Sequence, residues 1–193
     1  MHNMKKIALI AAVAAAATAS ADMKIGTVDM IVLVRNHASY EPNKKLLTDT
    51  EKDYAKKIDR MKSDVEDVQE EGKKLTEQLR NPMLAPAAKA KLEKDLLDIQ
   101  NKFLSGQQAI RAEAMRNQQD LQALEGRLLK ATTEDLHKRI DTFAEKEGYD
   151  LIVDVSATPF AKKELDVTSE ILKAMGVDPA QAKGSKDSAN EGK

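Results

Sequence analysis

The sequence predicts a mostly α-helical chain with a small β body. A long antiparallel coiled-coil hairpin projects from a small body of strands and short helices that oligomerises. Three observations lead there. Aromatic residues make up 3% of the 193 residues and charged residues 33%, whereas aromatics carry much of the buried area of an ordinary core. Apolar residues recur with a 3.5-residue period on both sides of a segment bounded by Pro82 and Pro86, the pattern of a coiled-coil seam. The stretches outside these helices hold only three or four short strands, too few for a sheet that is stable alone.

At the N-terminus, Lys5 and Lys6 precede an uncharged run from Ile7 to Ala17 and then Ala19-Ser20-Ala21. A basic start, about eleven apolar residues and a small-x-small ending form the layout of a cleavable secretory signal. The run is shorter than the roughly 20 residues of a membrane span. Residues 1–21 are therefore expected to be removed on export, the alternative being an uncleaved N-terminal anchor. The remaining chain carries 29 basic and 32 acidic residues, so no global positive field favours nucleic acid.

Residues 43–120 read as the hairpin. In its first helix Leu47, Glu51, Tyr54, Ile58, Met61, Val65, Val68, Gly72, Leu75 and Leu79 alternate at spacings of four and three. The segment 81–86 breaks the pattern. Pro82 removes a helical donor and pushes Asn81 out of the α region, while Pro86 suits the first turn of a second helix. A second seam runs through Leu92, Leu96, Ile99, Phe103, Gly106, Ile110, Ala114, Asn117, Leu121, Leu124 and Leu128. Folded back about the prolines, the two seams fall into register, with Leu75 opposite Leu92, Val68 opposite Ile99, Gly72 opposite Leu96 and Met61 opposite Gly106. A first helix of 38 residues would reach roughly 57 Å and bury one narrow stripe. Gly72 is either a close-packed contact or a flexible joint. Glu51, Glu113 and Asn117 weaken the seam away from the tip.

The oligomerisation body is expected from residues 22–42 and 121–177. Met23–Val28 and Tyr149–Val155 read as strands and Met30–Arg35 as a short helix. Phe160 is expected to open another short strand after Pro159. The second long helix slips phase near Leu129, continues through Leu136, Ile140 and Phe143, and stops at Gly148. Asp166 or Thr168 caps a final helix that ends at Gly176. Residues 178–193 are small and polar, the composition of a disordered tail.

The chain carries no sequence sign of catalysis or of a cofactor. Its eight glycines are too dispersed for a phosphate loop, cysteine is absent, and no G-x-S-x-G occurs. His37 and His137 are far apart and have no helical metal partner, so each reads as a surface or packing histidine.

With these pieces in hand, the chain resembles the Skp/OmpH family of periplasmic chaperones. The likeness lies in the signal-like start, Lys24-Ile25-Gly26-Thr27-Val28-Asp29-Met30, the charged hairpin, Gly148-Tyr149-Asp150-Leu151-Ile152-Val153-Asp154, and the run from Asp166 to Leu172. The resemblance implies a periplasmic homotrimer whose helical tentacles surround a cavity and hold unfolded outer-membrane proteins without ATP. The alternative is a structural coiled-coil spacer or adaptor of the envelope. On the holdase reading, Leu79, Met83, Leu84 and Met115 are candidate client contacts, since methionine adapts to irregular partners. For Met83 and Leu84 the competing reading is a local cap on Leu79. Lys73, Lys74, Arg80, Lys89, Lys91 and Lys94 form a basic tip expected to meet acidic client segments or an anionic membrane surface. Its competing reading is ordinary solvated helix surface.

Overall fold

The structure is a computed structural model that describes residues 23–184. The expected signal segment and the end of the expected tail lie outside the described residues. Contacts divide the chain into two compact units. One spans Ile31–Lys138 with the residues from Ala182 onward, and the other joins the segment ending at Met30 to Arg139–Gln181. Both divisions lie nearer the strands than the expected ones at 42/43 and 120/121.

The strand unit is built on β1 (Ile25–Val28) and β2 (Leu151–Asp154). They pair in parallel, with Ile25 opposite Leu151 and Val28 opposite Asp154. On the other edge of β1, Thr27 bridges Asp166, and the Val167 amide donates to the Thr27 carbonyl at 2.9 Å. The described residues thus hold two strands and one bridge, and Phe160 starts no strand. It lies 82% exposed, between 3-10 turns at Val155–Ala157 and Lys163–Leu165, in a short stretch whose ends are extended at Thr158 and Lys162 but which pairs with neither strand. Gly26 allows a close approach: a β-carbon there would lie 3.2 Å from the Tyr149 ring and 3.3 Å from Val167. Tyr149 stacks on Phe143 and receives the Lys24 ammonium 4.0 Å above its ring. The short helix after the bridge, Thr168–Ala174, buries Ile171 and Leu172 completely or nearly so. Asp166 accepts from the Thr168 amide, while the Thr168 hydroxyl accepts from the Asp29 amide. Both expected capping residues therefore take part in fixing the start of that helix.

The hairpin unit opens with α1 (Met30–Asn36), which crosses from one unit into the other, and continues with α2 (Tyr40–Leu79). α2 begins three residues before the expected Asn43. Pro42 stands in its first turn, where the missing N–H would have had no helical partner. α3 runs from Pro86 to Glu147 and ends at Gly148, whose φ of 72° is the left-handed stop expected there. Every predicted seam position of α2 except Glu51 is half-buried, and Thr50 takes that place. In α3 the exposed Ala114 yields its place to Glu113. The slip expected near Leu129 is present: Leu129 itself is 53% exposed, and after Leu128 the stripe moves by one to Thr132, Leu136 and Ile140 at steps of four, with Phe143 half-buried beyond them.

The register differs from the one expected by one seam layer. Gly72 lies against Ile99 rather than Leu96, where a β-carbon would approach Ile99 Cγ2 to 3.1 Å. Gly106 lies against Val65 rather than Met61, with the corresponding distance 2.6 Å. Gly72 is thus a close-packed contact. Both glycines face β-branched residues, so the absent side chains let the helices come together where the opposing chain is broad. A shift of one layer maps each seam onto itself, and apolar periodicity alone does not separate the two registers.

The base of the hairpin is held by a polar clamp. His37 is 11% exposed at its side chain, and its Nε2–H donates to Asp135 at 2.9 Å. His37 Nδ1 lies 2.7 Å from Ser39 Oγ, which in turn lies 2.9 Å from Thr132 Oγ1. Asn43 Nδ2 donates to both hydroxyl oxygens. Each group bonds another, so the cluster ties α3 to the α1–α2 junction. His37→Ala is expected to destabilise the chain by about 1–3 kcal/mol through lost and orphaned hydrogen bonds. Thermal unfolding followed by circular dichroism reads this, and an unchanged midpoint would refute the clamp.

The expected tail starts in ordered form. Pro179–Gln181 make a 3-10 turn, and Lys183 forms an ion pair with Glu41 while its backbone bonds Asn36 on both sides.

Candidate functional site

The tip is shaped by the sequence between the prolines. Asn81 Oδ1 accepts from the Met83 amide at 3.0 Å, an Asx turn. Extending the observed register puts Leu79 level with Leu92, so α3 overhangs the end of α2 by about 9 Å. Lys89 and Lys91 stand on this overhang. Of the candidate client contacts, Met83 is 88% exposed and Met115 is 64% exposed, while Leu79 and Leu84 are half-buried. Met115 lies far along α3 from the tip, so the four do not form one patch.

The six basic candidates are all exposed. Lys73 pairs with Glu70 at 2.5 Å and Lys89 with Glu93 at 3.9 Å, which offsets part of their charge. The Lys73 ammonium holds the Glu70 carboxyl below the usual glutamate range, first by its hydrogen bond and then by its charge.

Lys73 and Arg80 also rim a groove that the sequence reading did not anticipate. It encloses about 760 Å³ between α2 and α3, with Leu96, Ile99, Phe103 and Leu104 among its walls. Gly72 is among the residues that line it. The only sequence signal was a glycine on the seam near the sole phenylalanine of the second helix's seam.

Glu113 occupies a seam position with its side chain 12% exposed, bonded to Lys57 at 2.6 Å and 3.8 Å from Arg116. The Lys57 hydrogen bond leads in holding its carboxyl below the ordinary value of 4.5. Such a group adds stability above its unfolded value and loses it as pH falls through the lower folded one. Glu70 and Glu41 act with the same sign. Hairpin helicity is expected to weaken as pH falls below about 4.5, and Glu113→Gln should remove part of that dependence. Circular dichroism at stepped pH measures it; an identical acid profile in the variant would exclude Glu113.

In the strand unit, Ile25, Leu151 and Val155 are 38–47% exposed, along or just past the strand pair. Among the described residues no cluster of three or more His, Asp or Glu side chains suits a metal ion. No helix among them is long and apolar enough to cross a membrane.

The family described as Outer membrane protein (OmpH-like) matches residues 24–175, a span that takes in both strands and the whole hairpin. The chain belongs to this family. It is also similar to the Chaperone protein Skp of Pectobacterium atrosepticum, with 26% identity over 160 residues, covering 83% of this chain and 90% of that protein. The mostly helical OmpH-like chain with a small sheet, expected from the sequence, is the one observed.

Proposed function

We propose that this OmpH-like protein is a periplasmic holdase: it binds unfolded outer-membrane proteins without ATP and keeps them from aggregating before insertion. The observation that carries the reading is the family match from residue 24 to 175, which spans both the strand unit and the hairpin, together with the similarity to a chaperone-named relative over 83% of this chain. The physical features agree with it. An unfolded membrane barrel exposes alternating apolar and polar residues, and its apolar parts associate at about 25 cal/mol per Å² buried. A shield against that needs many weak contacts rather than a catalytic centre.

The working form is an oligomer, a trimer by family resemblance. The free edge of β2 and exposed Ile25, Leu151 and Val155 offer the strand unit a way to bury apolar surface against other copies. Residues 1–21 direct export and are removed. Met83, with Leu79 and Leu84 behind it, and Met115 contact clients. The basic tip (Lys73, Lys74, Arg80, Lys89, Lys91 and Lys94) meets acidic segments or anionic membrane surfaces.

Light scattering of a urea-denatured outer-membrane barrel protein, diluted with and without this chain, tests the function. Suppression that saturates at one client per oligomer is expected. Absence of suppression would favour an envelope spacer. Met83→Ser with Leu84→Ser is expected to raise scattering at equal chaperone concentration; an unchanged trace removes the tip from the client surface.

A further inference from the structure

The two helices of the hairpin turn very different faces away from each other. At 100° per residue, the side of α2 opposite its seam is a row of charges, among them Lys52, Lys56, Asp59, Glu66, Glu70 and Lys74. The corresponding side of α3 is not. Following the 3.5-residue seam from Leu97 to Leu129, fifteen exposed residues lie within about 60° of the line opposite it, and three of them, Asp98, Arg111 and Glu125, are charged. Leu97, Leu104, Met115 and Leu129 stand 53–64% exposed along that line. Asn101, Gln108, Gln119 and Gln122 fill the places between them, and Gly126 has open space beside it. A solvated helix face of this length is ordinarily charged.

We infer that this sparsely charged face of α3 is the surface that holds the unfolded barrel segments, while the charged face of α2 stays in water. The inference rests on the holdase reading and assigns it a side. Two observations select the occupant. The first is charge. Glutamine and asparagine offer donors and acceptors to an unpaired strand backbone, and burying them does not strip water from an ion. A face with few charges therefore suits a segment that alternates apolar and uncharged polar residues and gives a highly charged one little to pair with. The second is apolar density. A seam of thirty-three residues that pairs with another helix wants about nine apolar residues, and this face has four large ones. It is too sparse to zip onto a second copy. It gives scattered contacts that a disordered chain can make and release. Leu104 also walls the groove beside Gly72, so the face leads into a recess where a bulky client side chain fits.

The test uses the full chain and a urea-denatured outer-membrane barrel protein. Leu97→Lys, Leu104→Lys and Met115→Lys are combined in one variant, with Glu66→Lys and Glu70→Lys on α2 as the control. The α3 variant is expected to bind the client about tenfold or more weakly, with helicity retained because no seam residue changes. The α2 control should bind as the parent does. A photo-crosslinking residue at position 104 or 115 of the otherwise unchanged chain should capture client, and one at position 56 should not, which keeps the test independent of variant folding. Equal binding by parent and α3 variant, or crosslinks at 104 and 115 only to further copies of this chain, would overturn the assignment and leave the holdase reading intact. If the parent itself suppresses no aggregation, the holdase reading fails, and the assignment fails with it.

Discussion

Replacing Ile171 with alanine is expected to destabilise the strand unit by about 2–5 kcal/mol, the range for emptying a fully buried aliphatic site. Ile171 is 0% exposed and belongs to a small core with Val28, Val167 and Leu172. That core has little redundancy, because the helix carrying Ile171 is seven residues long and the sheet has two strands. Whole domains are stable by only about 5–15 kcal/mol, so the loss should move a denaturation midpoint plainly. Urea unfolding monitored at β-sheet and helical wavelengths would measure it. A shift below about 1 kcal/mol would mean that the site collapses without a cavity.

Gly106→Val is expected to cost the hairpin about 1–3 kcal/mol by overpacking. A β-carbon at 106 would come within 2.6 Å of Val65 Cγ2, too close for either chain to remain in place. Val65→Ala should recover a large part of the loss in the double variant, whereas Met61→Ala should not. The comparison separates the observed register from the one the sequence predicted. Rescue by Met61→Ala instead would mean that the helices pair one layer away.

That register marks the boundary of what the sequence made legible. The two long helices, the proline tip, the stop at Gly148 and the terminal strands follow from local causes: a 3.5-residue period, missing amide donors, a left-handed glycine and β-branched runs. Register is a relation between two periodic objects, and a periodic pattern repeats itself at each layer. What selects one layer is the fit of Gly72 to Ile99 and Gly106 to Val65, a matter of shape that hydrophobicity does not encode. The bridge at Asp166 was hidden for another reason. It is a single contact with no alternating run around it, so Phe160 looked more strand-like than Asp166. The candidate site was legible in part. Met83 and Met115 are exposed as anticipated, but the groove beside Gly72 needed two helices in their actual alignment. The sparsely charged face of α3 was present in the sequence and needs only the helical angle to be seen.

The clamp of His37, Ser39 and Thr132 bears on the order in which the chain acquires its structure. Ile25 pairs with Leu151 across 126 positions, a long loop to close at random. The hairpin is closed by neighbours around its tip, and once its base is fastened between Ser39 and Thr132, only 14 and 19 positions, most of them in α1 and the end of α3, separate Ile25 and Leu151 from that knot. Loop-closure entropy then falls by about 1 kcal/mol. The arm thus acts as a splint: the last strand to be made finds the first one because everything between them has already been folded out of the way.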